Sequence, residues 1–213
     1  MAEQTTVTVI NENIYWFYDK ALNPKQCQDI IDFGNMCRED IAVTSDQKGK
    51  TKDLTEEEEQ KLKKIRDSRI AWIEPMRWMN IWFHNYMADA NKNASWNYDI
   101  EGSEQYQFTK YKEGHFYGWH QDSGPDVMGD NLQRKLSLVC SLTDPSEYEG
   151  GNLEIYSPLS PSLSNDKKII TEKQWFNQGT IIVFPSFLWH QVKKVTRGTR
   201  YSLVTWFRGK DFK

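Results

Sequence analysis

Apolar and polar positions along the chain follow two different periods, one in each half. Near the amino terminus, residues 14–20 (IYWFYDK) read as a short aromatic strand. Asn23-Pro24 then marks a helix start, with asparagine as cap and proline in the first turn. Cys27, Ile30, Ile31 and Phe33 or Gly34 follow at helical spacing, predicting about three turns. Residues 39–69 are the most polar part. Within them Thr55-Glu56-Glu57-Glu58 is a capping box, and Lys61, Lys63 and Lys64 suit the far end of that helix. The charge run reads as a solvated helix face. Ile70–Ile73 is a short strand broken by Pro75. Met76 to about Asn91 returns to the helical period, with Met79, Trp82, Phe83, Tyr86 and Met87 on one side, a stripe broad enough to pack against a sheet. His84 among these aromatics reads as a helix-surface or core-edge residue.

After Ser95 the period shortens to two. Eight strands are predicted: 104–112, 116–121, 135–142, 152–157, 168–172, 180–185, 189–195 and 199–208. In the third, Leu136, Leu138, Cys140 and Leu142 alternate with Ser137 and Ser141, the signature of a half-buried strand. Short strands separated by glycine- and proline-marked turns predict a sandwich or jelly roll rather than a parallel sheet. The expected fold is α+β and mainly β, a double-stranded β-helix with the amino-terminal helices packed on one face. All 213 residues are read as one domain. Residues 1–103 would support a catalytic core at 104–208, and the polar segment 39–69 could close over a substrate.

Composition narrows the function classes. With 9 Trp, 10 Tyr and 10 Phe, the interior has large anchors, while 27% charged residues keep the surface wet. No apolar run reaches the roughly 20 residues of a membrane-spanning helix. The first thirteen residues lack the pattern of a secretory signal. Cys27, Cys37 and Cys140, odd in number and far apart, read as buried thiols, consistent with a cytoplasmic location. A net charge of −3 gives no general attraction to nucleic acid.

The candidate chemistry begins with YKEGHFYGWHQD, residues 111–122. His120 and Asp122, two apart at a predicted strand end, leave the same face. An imidazole and a carboxylate so placed supply two ligands of a facial triad for iron(II), which a second histidine would complete. His-x-Asp alone is weak, since a surface strand carries the same pair by chance. His190, in FPSFLWHQV, is the candidate third ligand. Ten residues on, Arg200 and Ser202 share a face of another predicted strand. If His190 and Arg200 lie on neighbouring antiparallel strands, both reach one barrel mouth. A guanidinium fork suits the far carboxylate of a diacid. The alternative for Arg200 is a salt bridge within the sheet.

Three stretches together resemble the 2-oxoglutarate-dependent oxygenase superfamily, in its prolyl 4-hydroxylase-like (PKHD-type hydroxylase) branch. They are QFTKYKEGHFYGWHQDSG, RKLSLVCSLTDPSEYEGGNLEIY and GTIIVFPSFLWHQVKKVTRGTRYSLVTWF, covering most of residues 104–208 in the family's order. Weaker similarity runs upstream through SRIAWIEP. The resemblance implies iron(II) at His120, Asp122 and His190, and the distal carboxylate of 2-oxoglutarate at Arg200 with help from Ser202. Tyr111 matches a tyrosine that hydrogen-bonds the oxo-acid in relatives, or is a core tyrosine satisfied elsewhere. Gly150-Gly151 matches a tight turn. Trp119 and Trp189 are assigned to packing rather than substrate contact, and His115 to a loop. Oxygen would be the second co-substrate and ascorbate an activator. Because halogenating relatives lack the carboxylate of Asp122, hydroxylation of an unactivated C–H bond is the implied outcome. The expected substrate is a prolyl residue in a peptide or protein, with a free amino acid or small metabolite as the second reading. Demethylation of nucleic acid ranks lower, because the Arg-x-Asn-x-Thr-x-Arg signature is broken here by Ser202 and a displaced Arg208. A non-catalytic jelly-roll binding module ranks lowest beside an intact triad.

Overall fold

The computed structural model describes residues 13–42, 55–124, 130–157 and 168–210. Fourteen strands and three helices follow one another as β1 (Trp16–Tyr18), α1 (Pro24–Met36), β2 (Asp40–Ile41), α2 (Glu56–Lys63), β3 (Arg66–Asp67), β4 (Arg69–Ile73), α3 (Arg77–Asn93), β5 (Gly102–Ser103), β6 (Tyr106–Lys112), β7 (Phe116–His120), β8 (Leu132–Ser141), β9 (Tyr148–Gly150), β10 (Leu153–Tyr156), β11 (Ile169–Ile170), a 3-10 turn (Lys173–Phe176), β12 (Ile181–Pro185), β13 (His190–Val192) and β14 (Val195–Lys210). A larger sheet has the order β1-β12-β8-β14-β6-β4-β2, with β5 and β9 also paired to β14. A smaller one runs β11-β10-β13-β7-β3. The sheets are antiparallel and mainly-β in the manner predicted, with the helices on one side.

The helices cover the outer face of the larger sheet because their apolar stripes match its period-2 positions. Cys27, Ile30 and Ile31 of α1 and Met79, Phe83, Met87 and Ala90 of α3 join Phe108, Leu138, Cys140, Leu203 and Phe207 in one core. Gly34 is needed where α1 crosses β6, since a Cβ there would stand 2.5 Å from the Phe108 ring. Both predicted caps are present: Asn23 accepts from Gln26 N, and Thr55 from Glu58 N. A second core fills the space between the sheets and includes Val139, Ile155, Ile182, Phe184 and Val192.

The alternation in β8 has a different meaning from the one read in sequence. Its polar face is not wet. Leu136, Leu138 and Cys140 meet the helices, while Ser137 and Ser141 are also buried, facing inward between the sheets. The polar segment 39–69 contributes strands at both ends: β2 edges the larger sheet and β3 the smaller. Its centre, 43–54, lies outside the described residues, and so does the lid reading. Predicted strand 168–172 shrinks to two residues before the 3-10 turn, and 104–112 starts at Tyr106. Strands β2, β3, β5 and β9 were not predicted, being too short to show a period. Cys27 and Cys140 are buried thiols and Cys37 is half-buried. Among the described residues no helix is long and apolar enough to cross a membrane.

Candidate active site

His120 closes β7, and a bulge aims it. His190 of β13 sits opposite His120, and Val192 opposite Tyr117, so four residues of β7 (117–120) face three of β13 (190–192). The extra residue turns both Tyr117 and His120 inward, the use to which bulges beside sites are commonly put. Gly118, within the bulge, donates its N–H to the Ile65 carbonyl at 2.8 Å, and a Cβ there would lie 3.2 Å from that oxygen. The two imidazoles are held alike. Nδ1 of His120 lies 2.8 Å from the Gly118 carbonyl and Nδ1 of His190 2.9 Å from the Leu188 carbonyl. With the proton on Nδ1, each Nε2 lone pair is left for the cavity.

Asp122 lies just past the end of β7, in a turn rather than on the strand. Its N–H donates to the Ser186 carbonyl (2.9 Å), as does that of Ser123 (3.0 Å). Ser137 Oγ donates to Asp122 Oδ2 at 2.7 Å and lies 2.9 Å from Ser186 Oγ. The Asp122 oxygens stand 3.7 Å from His120 Nε2 and 3.4 Å from His190 Nε2, and one ligand atom from each residue lies within 4.8 Å of the others. Ligands about 2.1 Å from one ion at right angles are roughly 3 Å apart, so small movements bring this set onto a metal.

The electrostatics suit that use. Burial alone would raise the Asp122 carboxyl, but His190, through its charge and hydrogen bond, and His120 outweigh it and hold the carboxylate ionised. Burial, then the neighbouring His190, push His120 down to about 3, leaving a neutral imidazole. For His190 burial acts the same way, but the Asp122 carboxylate more than offsets it and raises the group. A neutral imidazole, an anion and a second imidazole are the donor set an iron(II) ion takes.

Arg200 reaches the same space from the other wall. It lies on β14 in the larger sheet, in register with Tyr111 of β6, whereas His190 belongs to the smaller sheet. The two therefore face each other across the sandwich instead of lying on neighbouring strands. Arg200 is 2% exposed, and its Nε and Nη1 have no acceptor among the described residues. The salt-bridge alternative fails on that observation. The Gly150-Gly151 turn makes room: both have positive φ (74° and 64°), and a Cβ on Gly151 would meet Arg200 Cδ at 2.9 Å. Tyr111 is buried below the guanidinium, its centroid 5.6 Å from Cζ, and burial raises its hydroxyl so that it stays a donor. Ser202 lies two residues along the same inward face.

A cavity of about 460 Å³ joins these groups. Its inner end holds Tyr111, Arg200 and Ser202. The three candidate ligands come next, and it opens past Arg134, Trp206 and Trp72. At the mouth Arg134 donates through Nε and Nη2 to the two oxygens of Glu104 (2.6 and 2.5 Å) and lies 3.7 Å over the Trp206 ring. Arg66, Glu104, Arg134 and Trp206 were missed in the sequence. Arg66 sits in a two-residue strand inside a polar run, and no spacing marks it. Trp119 and Trp189 are 37% and 48% exposed and do not line the cavity. Trp119 stands edge-on to Tyr156 at 6.5 Å, a surface contact rather than core packing. His84 packs edge-on to Phe207 at the core edge, and His115 sits in a loop, 3.8 Å from Asp67.

Residues 106–208, just under half of the chain, match the model of the 2OG-Fe(II) oxygenase superfamily. The chain is similar to PKHD-type hydroxylases. One from Thermosynechococcus vestitus is 35% identical over 102 residues, 46% of this chain and 40% of that relative. The match thus spans less than half of the curated relative. Solved structures share the fold over nearly the whole chain. A viral collagen prolyl hydroxylase of Paramecium Bursaria Chlorella virus-1, in complex with 2-oxoglutarate, has a TM-score of 0.61 at 20% identity, covering 95% of this chain and 99% of that one. A Trichoplax adhaerens prolyl hydroxylase, in complex with a hypoxia inducible factor peptide fragment, scores 0.56 at 19% identity, covering 93% and 84%.

Proposed function

We propose that this chain is an iron(II)- and 2-oxoglutarate-dependent dioxygenase that hydroxylates an unactivated C–H bond, with a prolyl residue of a peptide or protein as its substrate. The observation that carries the reading is the convergence of His120, Asp122 and His190 on one point of a cavity whose inner end holds a buried Arg200 with no acceptor for Nε and Nη1 among the described residues. His120, Asp122 and His190 would hold the iron. Arg200 would bind the distal carboxylate of 2-oxoglutarate through its paired N–H groups, with Tyr111 and Ser202 as neutral donors beside it. Iron with 2-oxoglutarate and oxygen supplies the oxidising power, yielding succinate and carbon dioxide alongside the hydroxylated product. The protein's own work is to seat the diacid, turn both imidazoles toward the metal position and keep water from the reacting centre.

The prolyl substrate is supported by the fold shared with the two prolyl hydroxylases above and by a cavity of about 460 Å³ lined by Trp72 and Trp206. The test is oxygen-dependent conversion of 2-oxoglutarate to succinate with iron(II) and ascorbate, followed by mass spectrometry of proline-containing peptides. Gain of one oxygen atom on proline is expected. Turnover without any prolyl product would leave the oxygenase and overturn the substrate.

A further inference from the structure

Arg66 is a second buried guanidinium whose hydrogen-bonding capacity the protein leaves unspent. It lines the cavity and is 5% exposed. Nε donates to Ser68 Oγ at 3.0 Å, while Nη2 is sealed from solvent with no acceptor among the described residues. Its guanidinium lies 4.3 Å over the Tyr117 ring, and that ring stacks on His120 with centroids 3.5 Å apart and planes 13° from parallel. Two planar groups cannot share one face of a ring at such separations, so Tyr117 is sandwiched between them. Arg66 therefore stands one ring's thickness beyond a candidate iron ligand. It enters from β3 at the edge of the smaller sheet, whereas Arg200 enters from the larger one.

An arginine cannot shed its proton to escape a dry site, so a buried one calls for an anion. This chain shows what it does when no ligand is meant to come. Arg134 has the carboxylate of Glu104, and Arg208 donates to both oxygens of Asp130 at 2.7 Å. Arg66 has no such partner among the described residues. The co-substrate does not supply one either, for its two carboxylates are claimed by the iron and by Arg200. We propose that Arg66 is an anion site for the substrate, and that the molecule hydroxylated carries a carboxylate close to the carbon attacked. This rests on the oxygenase reading and deepens it. The carboxylate has two sources, the free α-carboxylate of an amino acid or carboxy-terminal residue, or the side chain of an acidic residue beside the target.

Calorimetry on the anaerobic iron(II) protein, with 2-oxoglutarate saturating so that Arg200 is occupied, separates them. The probes are N-acetylproline against N-acetylprolinamide, and an amidated Asp-Pro peptide against its Asn-Pro counterpart. In one pair the acid should bind about tenfold tighter than the amide, as charged hydrogen bonds commonly give, and that pair identifies the source. Arg66→Gln should abolish the preference and leave 2-oxoglutarate affinity within about twofold, while Arg66→Lys should retain part of it. Should Arg66→Gln fail to fold, the wild-type pairs and the lysine variant still decide. Equal binding of acid and amide in both pairs, or no binding by either acid, overturns the proposal. So does loss of 2-oxoglutarate affinity in Arg66→Gln as large as in Arg200→Met, which would place Arg66 in the co-substrate seat. Admitting oxygen tests the other reading separately. Acid preference with no hydroxylated proline sinks the prolyl substrate alone, and equal hydroxylation of acid and amide sinks the anion site alone.

Discussion

Arg134, at the mouth of the cavity, and Arg208 share the carboxylates of Glu104 and Asp130, whereas Arg200 at the inner end faces no carboxylate among the described residues. Both regions bury guanidinium groups on the inward face of the larger sheet, so burial alone does not distinguish a structural charge from a functional one. The distinction lies in neutralisation. A charge balanced within the protein contributes to holding strands together. One left open weakens the empty fold and becomes favourable only when a ligand arrives. The His120–Asp122–His190 cluster belongs with the inner end, since its two Nε2 atoms and the carboxylate are turned toward one another around a point rather than tied into the sheet. Inner-end substitutions should therefore cost ligand affinity and spare stability, and mouth substitutions the reverse.

The largest effect should come from the ligand cluster. His190→Ala and His120→Ala are each expected to abolish tight iron(II) binding and succinate formation while circular dichroism stays that of the parent. Collapse of the fold in either variant would move these histidines into the structural class and break the comparison. At the mouth, Glu104→Gln leaves Arg134 without its counter-ion, also removes the nearby charge from Arg208 (3.6 Å), and should cost about 3–5 kcal/mol in urea unfolding. Arg200→Met is the matched test. Removing an unpaired buried cation should leave stability unchanged or raise it by up to about 4 kcal/mol, while the 2-oxoglutarate requirement rises on the order of a hundredfold. If the two variants exchanged signatures, neutralisation would not be what separates the two ends.

What the sequence disclosed follows the same division. The helices and long strands were legible because burial against a single face imposes a period, as in Met79–Phe83–Met87 or Leu136–Leu138–Cys140. The candidate ligands were legible because His-x-Asp, a later histidine and a following arginine recur at family spacing. Ser137 was misread, since alternation reports which residues share a face but not whether the polar face is wet. The relation of His190 to Arg200 was misplaced for a related reason. Strands adjacent in the chain belong here to different sheets, and sequence order does not tell pairing across a sandwich from pairing within it. Arg66 and the Glu104–Arg134 pair escaped because a two-residue strand has no period and ion pairs thirty residues apart leave no local mark.

Acidity should act on the inner end in two opposed ways. Asp122 raises His190 above the ordinary histidine range despite burial. In the metal-free protein their ion pair contributes stability that is fully present below the ordinary range and fades as pH rises through the raised value. Iron needs the same nitrogen unprotonated, so metal affinity should climb through that interval and level off above it. Metal titration and thermal unfolding of the metal-free protein across the histidine range should thus slope in opposite directions. Parallel slopes would mean that His190 is not the group being competed for.

The smallest expected effect belongs to Ser137, where the two classes meet. Its strand is structural, yet its hydroxyl donates to Asp122 Oδ2, the oxygen nearer His190. That bond fixes the carboxylate's rotation and uses a lone pair that would otherwise swing off the metal. Ser137→Ala removes one buried oxygen, disturbs no ion pair and keeps the ladder to β12 and β14. Partners of this kind typically matter by about tenfold or more in metal affinity, so Ser137→Ala should weaken iron(II) binding by about tenfold at nearly unchanged stability. Ser137→Thr retains the hydroxyl and should recover most of the loss if its extra methyl is accommodated. A stability loss in Ser137→Ala without any change in metal affinity would assign the hydroxyl to the sheet and move the boundary between the two classes inward to Asp122.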